Sequence, residues 1–522
     1  MGSILVPVLL ASGPMVLAAP PAPAAAPRPA IAKATTVPAM AVPDAPPNPR
    51  DVKIDKLVKY LFDEYGRLLK SPDWVTRSLA LISIARLPTE ATTKVLLTFV
   101  ARDPHPAVKM VAWEALLARA SLLDDEAHAK WLYAGWKLAE EGHFRGRLRI
   151  GLVRAMATGL VTKQAKDAFT QLLAMAKGSY VGDDQVVKEL GVTLRAWRSA
   201  NAIDLVDELV KVASGKSADA ERAAGVLRAA GAPAGDLAAW WNTEKLAWRD
   251  VKRDIRDEPW RKLTANVLPK VLSREQIDPD SKAWYKELEL KKPQIKNFDV
   301  AFVVDISGSM TTAIEWLRRE ASATAAVLGI FAPEPRIGVT WFSGPKTDVQ
   351  TVKLTGKIAD VRTALKGMKT EGGGEEEFAK AMEQAYTTHP WPTSESARKV
   401  MIVLSDEEIV ARLRPECARL ARDFAAKNFR TYFVTPDKRI FPGFTATAEA
   451  GKGAALGLGL PRAPRAGAAP ARGRASAPVA LSDAGTVALI SKIVGDAVTP
   501  EYRDRIIPLV TIVLAMNTEP AD

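Results

Sequence analysis

Apolar positions recur at helical spacing through residues 50–250, in one short segment after another. The clearest predicted helices are Thr92–Ala101, Leu148–Ala157, Ala165–Ala176, Val186–Trp197 and Ile203–Ala213. From residues 251–296 charges of both signs alternate with few apolar runs, the pattern of a connector with exposed helices. Beyond residue 297 the texture changes. Unbroken apolar runs of strand length appear at Val300–Val304, Ile337–Phe342, Val349–Leu354, Val400–Leu404 and Arg430–Val434. Amphipathic stretches lie between them, one through Ile314, Leu317, Ala321, Ala325 and Leu328 and another over Ile358–Met368. Strands alternating with helices predict a parallel, doubly wound α/β sheet. The fold class expected is thus multidomain, a helical region followed by a Rossmann-like α/β domain.

The helical region carries an internal repeat. Ser71–Ile84 aligns with Asp103–Leu116, pairing Arg77 with Lys109, Leu79 with Val111, Ala80 with Ala112 and Ile84 with Leu116. Two helices per unit and a D-P-like opening turn resemble HEAT-type repeats, which implies a solenoid. The repeated apolar positions are then core residues. Trp240, Trp241, Trp248, Trp260 and Trp284 cluster toward the end of the region and read as interdomain packing, ahead of an aromatic recognition surface.

The chemistry concentrates at the end of the first apolar run, where Asp305 is followed by Ser307 and Ser309. A buried strand ending in Asp305 would deliver that carboxylate to the carboxyl edge of the sheet, where ligand sites gather. Two hydroxyls at alternate positions beside it form an all-oxygen set suited to a hard cation. The sequence Asp305-Ile306-Ser307-Gly308-Ser309 is similar to the D-x-S-x-S metal motif of von Willebrand factor type A (VWA) domains. The resemblance implies a metal-ion-dependent adhesion site holding Mg2+, with Mn2+ or Ca2+ as alternatives. It also implies a threonine or acidic residue from a second loop and an aspartate after a later strand. Asp406, after Val400–Leu404, matches the aspartate. In the second loop, Thr370–Glu377, the common G-G-T form is missing, which leaves Thr370 and Glu375 as rivals. The partner implied is another protein presenting an acidic side chain, bound without catalysis.

Composition narrows the alternatives. Histidine occurs only as His105, His128, His143 and His389, and Cys417 is the sole cysteine, so zinc clusters, disulfides and Ser/His hydrolases lack material. The residue two after Asp305 is Ser307, not the second acid of an aspartyl phosphatase, and neither serine lies in G-x-S-x-G. No enzyme is expected. The net charge of +12 permits an anionic partner. Part of it belongs to Arg462, Arg465, Arg472 and Arg474 in an Ala/Gly/Pro-rich stretch without acids. Helical repeats ahead of a type A domain are also similar to Ro ribonucleoproteins, which makes RNA binding one alternative; an intracellular adaptor of an AAA-type ATPase is another. Export is preferred to both, because Ile4–Leu17 is apolar, too short to span a membrane, and followed by Ala18. The expected order is a signal peptide (1–18), an Ala/Pro-rich linker (19–49), helical repeats (50–250), a connector (251–296) and the type A domain (297–443). A disordered insertion (444–480) and the last helical part of that domain (481–522) follow.

Overall fold

The computed structural model describes residues 48–144, 147–177, 184–255, 267–289, 291–293, 295–344, 348–370, 377–460 and 483–516. The expected signal segment, most of the linker, Trp260 and the four arginines of the low-complexity stretch lie outside them.

Among the described residues, eleven α-helices come first: α1 (Pro49–Leu68), α2 (Trp74–Ile84), α3 (Glu90–Arg102), α4 (Pro106–Ala118), α5 (Asp125–Glu140), α6 (Arg147–Gly159), α7 (Ala165–Ala176), α8 (Asp184–Ala196), α9 (Ile203–Ala213), α10 (Ala218–Ala229) and α11 (Leu237–Arg249). Their starts are written locally. The Asp73 carboxylate accepts the Thr76 N–H, Thr89 accepts that of Thr92 and Asp124 that of Ala127, each covering an orphan donor of a first turn. From α2 to α10 most helices pack on the next one and on the one after that, which builds two layers. Two aligned basic positions each reach an acidic residue at the end of a following helix. Arg77 forks onto Asp103 at 2.8 and 3.0 Å, and Lys109, its aligned counterpart, approaches Glu141 at 3.9 Å. Buried Arg119 donates to the carbonyls of Ala85, Leu87 and Thr89, satisfying acceptors just past the end of α2.

The tryptophans pack, but mainly within the array. Trp241 and Trp248 are buried on α11, which lies against α9, and Trp241 Nε1 donates to Asp207 at 2.7 Å. The expectation of interdomain packing therefore fails for this pair, because α11 ends the stack and its aromatics close an open helical face. Trp284 belongs to α12 (Ala283–Glu289), in the connector, with the Arg86 guanidinium 4.8 Å from its ring centre.

The α/β domain holds β1 (Phe298–Asp305), α13 (Thr311–Leu328), β2 (Arg336–Phe342), β3 (Gln350–Thr355), α14 (Ile358–Gly367), α15 (Phe378–Thr388), β4 (Arg398–Leu404), α16 (Arg414–Ala426), β5 (Phe429–Thr435), α17 (Pro442–Ala450), β6 (Ala455–Gly457), α18 (Asp483–Ala497) and α19 (Pro500–Ala515). The sheet order is β3-β2-β1-β4-β5-β6; all neighbours are parallel except the β2–β3 pair at the edge. Val300, Phe302 and Val304 face a core shared with α13, α14, α18 and α19, whereas Val303, Met401, Val403 and Phe433 face α15, α16 and α17. Helices on both faces explain why these strands are apolar without alternation.

Residues 444–460 do not belong to a disordered insertion, as expected from their composition. They complete α17 and supply β6, which pairs with β5. The small residues that look like low complexity are what permits the close fit: a Cβ on Gly453 would lie 2.0 Å from the Thr431 carbonyl oxygen, and one on Gly457 2.5 Å from that of Asp437. Pro508 stands inside α19. That helix is buried between α13 on one side and α2, α4 and α6 on the other, and packing on both flanks outweighs the missing N–H.

Glu287 ties the connector to both parts. Its carboxylate accepts from Tyr65, Ser83 and, at 3.0 Å, Arg86, while Arg505 of α19 donates to its main-chain carbonyl at 2.7 Å. Glu287→Ala strands three donors around a largely enclosed carboxylate site. A loss of about 2–3 kcal/mol is expected, the usual range for a charged hydrogen-bonded group, and urea unfolding of the variant measures it.

Candidate metal centre

Strand register places the candidate residues together. Val304 pairs with Leu404, so Asp305 at the end of β1 lies beside Ser405, and Asp406 follows at the same edge. The chain leaves β1 toward β2 on one side, while β4 lies on the other, so this is the sheet's topological switch point, where ligand crevices form outside strand ends.

Asp305 is fully buried. Its Oδ1 accepts the Ser307 main-chain N–H at 2.8 Å, and its Oδ2 accepts the Ser405 hydroxyl at 2.7 Å. Ser405 is itself fixed by the Glu407 N–H at 3.0 Å. In front of this carboxylate, Ser307 Oγ lies 3.2 Å from Ser309 Oγ, which donates to Asp406 Oδ1 at 3.1 Å. A single turn, Gly308–Met310, then leads into α13. Burial pushes the Asp305 carboxyl up to about 6, against the Ser307 and Ser405 hydrogen bonds that favour its charge, and neighbouring Asp406 pushes it further in the same direction. Burial and Asp406 also raise Glu407.

The donor set fits a hard divalent ion. An octahedron with bonds of about 2.1 Å has edges of about 3 Å between adjacent oxygens, close to the two spacings seen here. Among the described residues no group of three or more His, Cys, Asp or Glu side chains is placed to hold a metal, so a site here would draw on the serine hydroxyls. Of the second-loop rivals, Thr370 is exposed and makes no hydrogen bond to the cluster, and Glu375 lies outside the described residues. Two neighbours escaped the sequence reading. Ser405 was legible only as the residue before Asp406. Arg439, after β5, donates to the Asp406 main-chain oxygen at 3.1 Å. Cys417 is buried and its thiol is pushed up to about 12 by that burial, so it takes no part.

Residues 299–438 match the family model of the von Willebrand factor type A domain. No curated protein matches the chain. Among solved structures, the chain is similar to the conserved hypothetical protein BatB from Bacteroides thetaiotaomicron, at 17% identity over 31% of this chain and 90% of that one, with a TM-score of 0.26. It is also similar to proximal thread matrix protein 1 from the mussel byssus with a zinc-occupied MIDAS motif, at 15% identity over 32% of this chain and 43% of that one (TM-score 0.26). A third is the pilus adhesin SpaC from Lactobacillus rhamnosus GG, at 14% identity over 32% and 28% (TM-score 0.25). Among the described residues no helix is long and apolar enough to cross a membrane.

Proposed function

We propose that the protein is a non-enzymatic docking protein, in which a HEAT-like helical scaffold carries a type A domain that binds an acidic side chain of another protein through Mg2+. The observation that supports this best is the run of oxygens from Ser307 through Ser309 to Asp406, at octahedral-edge spacing and at the sheet's switch point. Ser307, Ser309 and Asp406 are the side chains that would hold the ion, with Asp305 behind them and a second-loop group, Thr370 or Glu375, in addition. When bound, magnesium supplies an electron-poor centre with room for a foreign carboxylate. The chain's own residues set that preference. The two serines donate oxygen without charge, so few carboxylates neutralise the ion. Ser405 and the Ser307 N–H hold the plane of Asp305 and keep it from turning away. Asp305 and Asp406 serve as anionic walls of the site.

The direct test is linkage. Magnesium at a hundredfold excess over its dissociation constant should stabilise the full chain by about 2.7 kcal/mol, and EDTA should reverse the gain. A fluorescein-labelled Gly/Ser peptide with one glutamate should bind only in the presence of Mg2+. An unchanged urea midpoint with millimolar Mg2+, or peptide binding indifferent to EDTA, would rule the reading out.

A further inference from the structure

The loop from β5 to α17 is held by several hydrogen bonds. The Thr435 hydroxyl donates to the Arg439 carbonyl at 2.5 Å, and the Arg439 N–H donates to Asp437 Oδ1 at 2.9 Å. The N–H groups of Gly459 and Leu460 reach back to the carbonyls of Asp437 and Pro436, at 3.3 and 2.6 Å. Its tip is exposed, yet the Arg439 side chain has two fixed supports. The guanidinium carbon lies 4.4 Å from the Phe441 ring centre, and Nη2 donates to the main-chain oxygen of Asp406. Among the described residues no carboxylate pairs with it. Beside it Ile440 exposes 47% of its surface, one of the few large apolar side chains to do so.

Charge gives this placement a purpose. Asp305 and Asp406 together only balance the charge of a divalent ion, so a second acidic group of a partner needs a positive charge beyond the ion itself. Arg439, hydrogen-bonded to the main chain of Asp406, supplies that charge beside the metal site and presents a planar fork suited to a second carboxylate. We propose that Arg439 and Ile440 form the specificity wall of the docking site, selecting a partner segment with a second acidic residue close to the metal-seeking one and an apolar side chain beside it. This rests on the magnesium-docking reading above. Arg439 stands outside the ion's own ligands and acts on the partner directly.

Two labelled Gly/Ser peptides test it, one with a single glutamate and one with Glu-Gly-Glu, whose acidic side chains fall on the same side of an extended chain. Anisotropy titrations in Mg2+ should show the wild-type protein binding the diacidic peptide about tenfold tighter, a difference of about 1.4 kcal/mol. Arg439→Gln should remove the preference and Arg439→Glu should invert it, while both variants keep a Mg2+-induced stabilisation at least as large as the wild type's, since a positive charge beside the ion is lost. That stabilisation also reports that they fold. An equal preference in wild type and Arg439→Gln overturns the role of Arg439 alone, because Mg2+-dependent binding of the single-glutamate peptide persists. If the wild type binds neither peptide in Mg2+, the docking reading and this inference fall together.

Discussion

Asp305→Asn is expected to make the metal-free protein more stable and unable to respond to magnesium. The carboxylate is buried, and burial lifts its pKa from 3.8 to about 6, so keeping it ionised at neutral pH costs up to about 3 kcal/mol at 1.36 kcal/mol per unit. Asparagine keeps the shape. Its amide oxygen can still accept the Ser307 N–H, and its amide nitrogen can donate to Ser405, whose hydroxyl already lies 3.4 Å from the Glu407 carbonyl as an alternative acceptor. The hydrogen bonds survive while the desolvated charge disappears. Urea unfolding in EDTA should therefore show a gain of about 1–3 kcal/mol, and the Mg2+-induced gain of the wild type should vanish. A site that lowers stability until its ligand arrives is the usual exchange between function and folding. A metal-free variant less stable than wild type would mean that Asp305 is retained for packing, and an intact magnesium response would remove it from the site.

Why this much was legible in advance follows from what each part depends on. Strands β1, β4 and β5 are buried on both faces, so their apolar runs stand out, and a carboxylate that ends such a run has few structural uses. Arg77 and Lys109 were legible as aligned basic positions, and each reaches an acidic residue at a following helix end, Asp103 and Glu141. Strand β6 was hidden, since its fitness to pair lies in the small size of Gly453 and Gly457 beside Thr431 and Asp437, a property that composition reads as disorder. Ser405 and Arg439 were equally hidden. One acts by a single hydroxyl behind Asp305, the other by folding back across 33 residues onto a main-chain oxygen, and neither leaves a local pattern. The choice between Thr370 and Glu375 depends on loop conformation rather than on periodicity.

Acid should weaken the fold before most carboxylates titrate, because two histidines are neutral inside it. His128 is 1% exposed, with Nε2 2.9 Å from Thr158 Oγ1 and no partner for Nδ1. His389 is 4% exposed; its Nδ1 accepts the Leu354 N–H at 3.2 Å, and its ring abuts Gly338, where an added Cβ would lie 2.6 Å from it. Burial lowers both from 6.5 to about 4. A lowered histidine pKa means that the unfolded chain takes up protons first, so the stabilising contribution is whole above pH 6.5 and is lost as pH falls toward 4. Each residue accounts for about 3 kcal/mol across that window. Metal-free Asp305 works against this: its raised pKa makes the native state bind a proton between about 6 and 3.8, which adds stability as pH falls. Asp305→Asn removes that opposing contribution and is the right background for the measurement. In it, urea midpoints taken from pH 7 to pH 4 should fall steeply, and His389→Gln should make the fall about half as deep. A flat profile would place water or a counter-charge beside the two rings and contradict the dry packing from which the prediction is drawn.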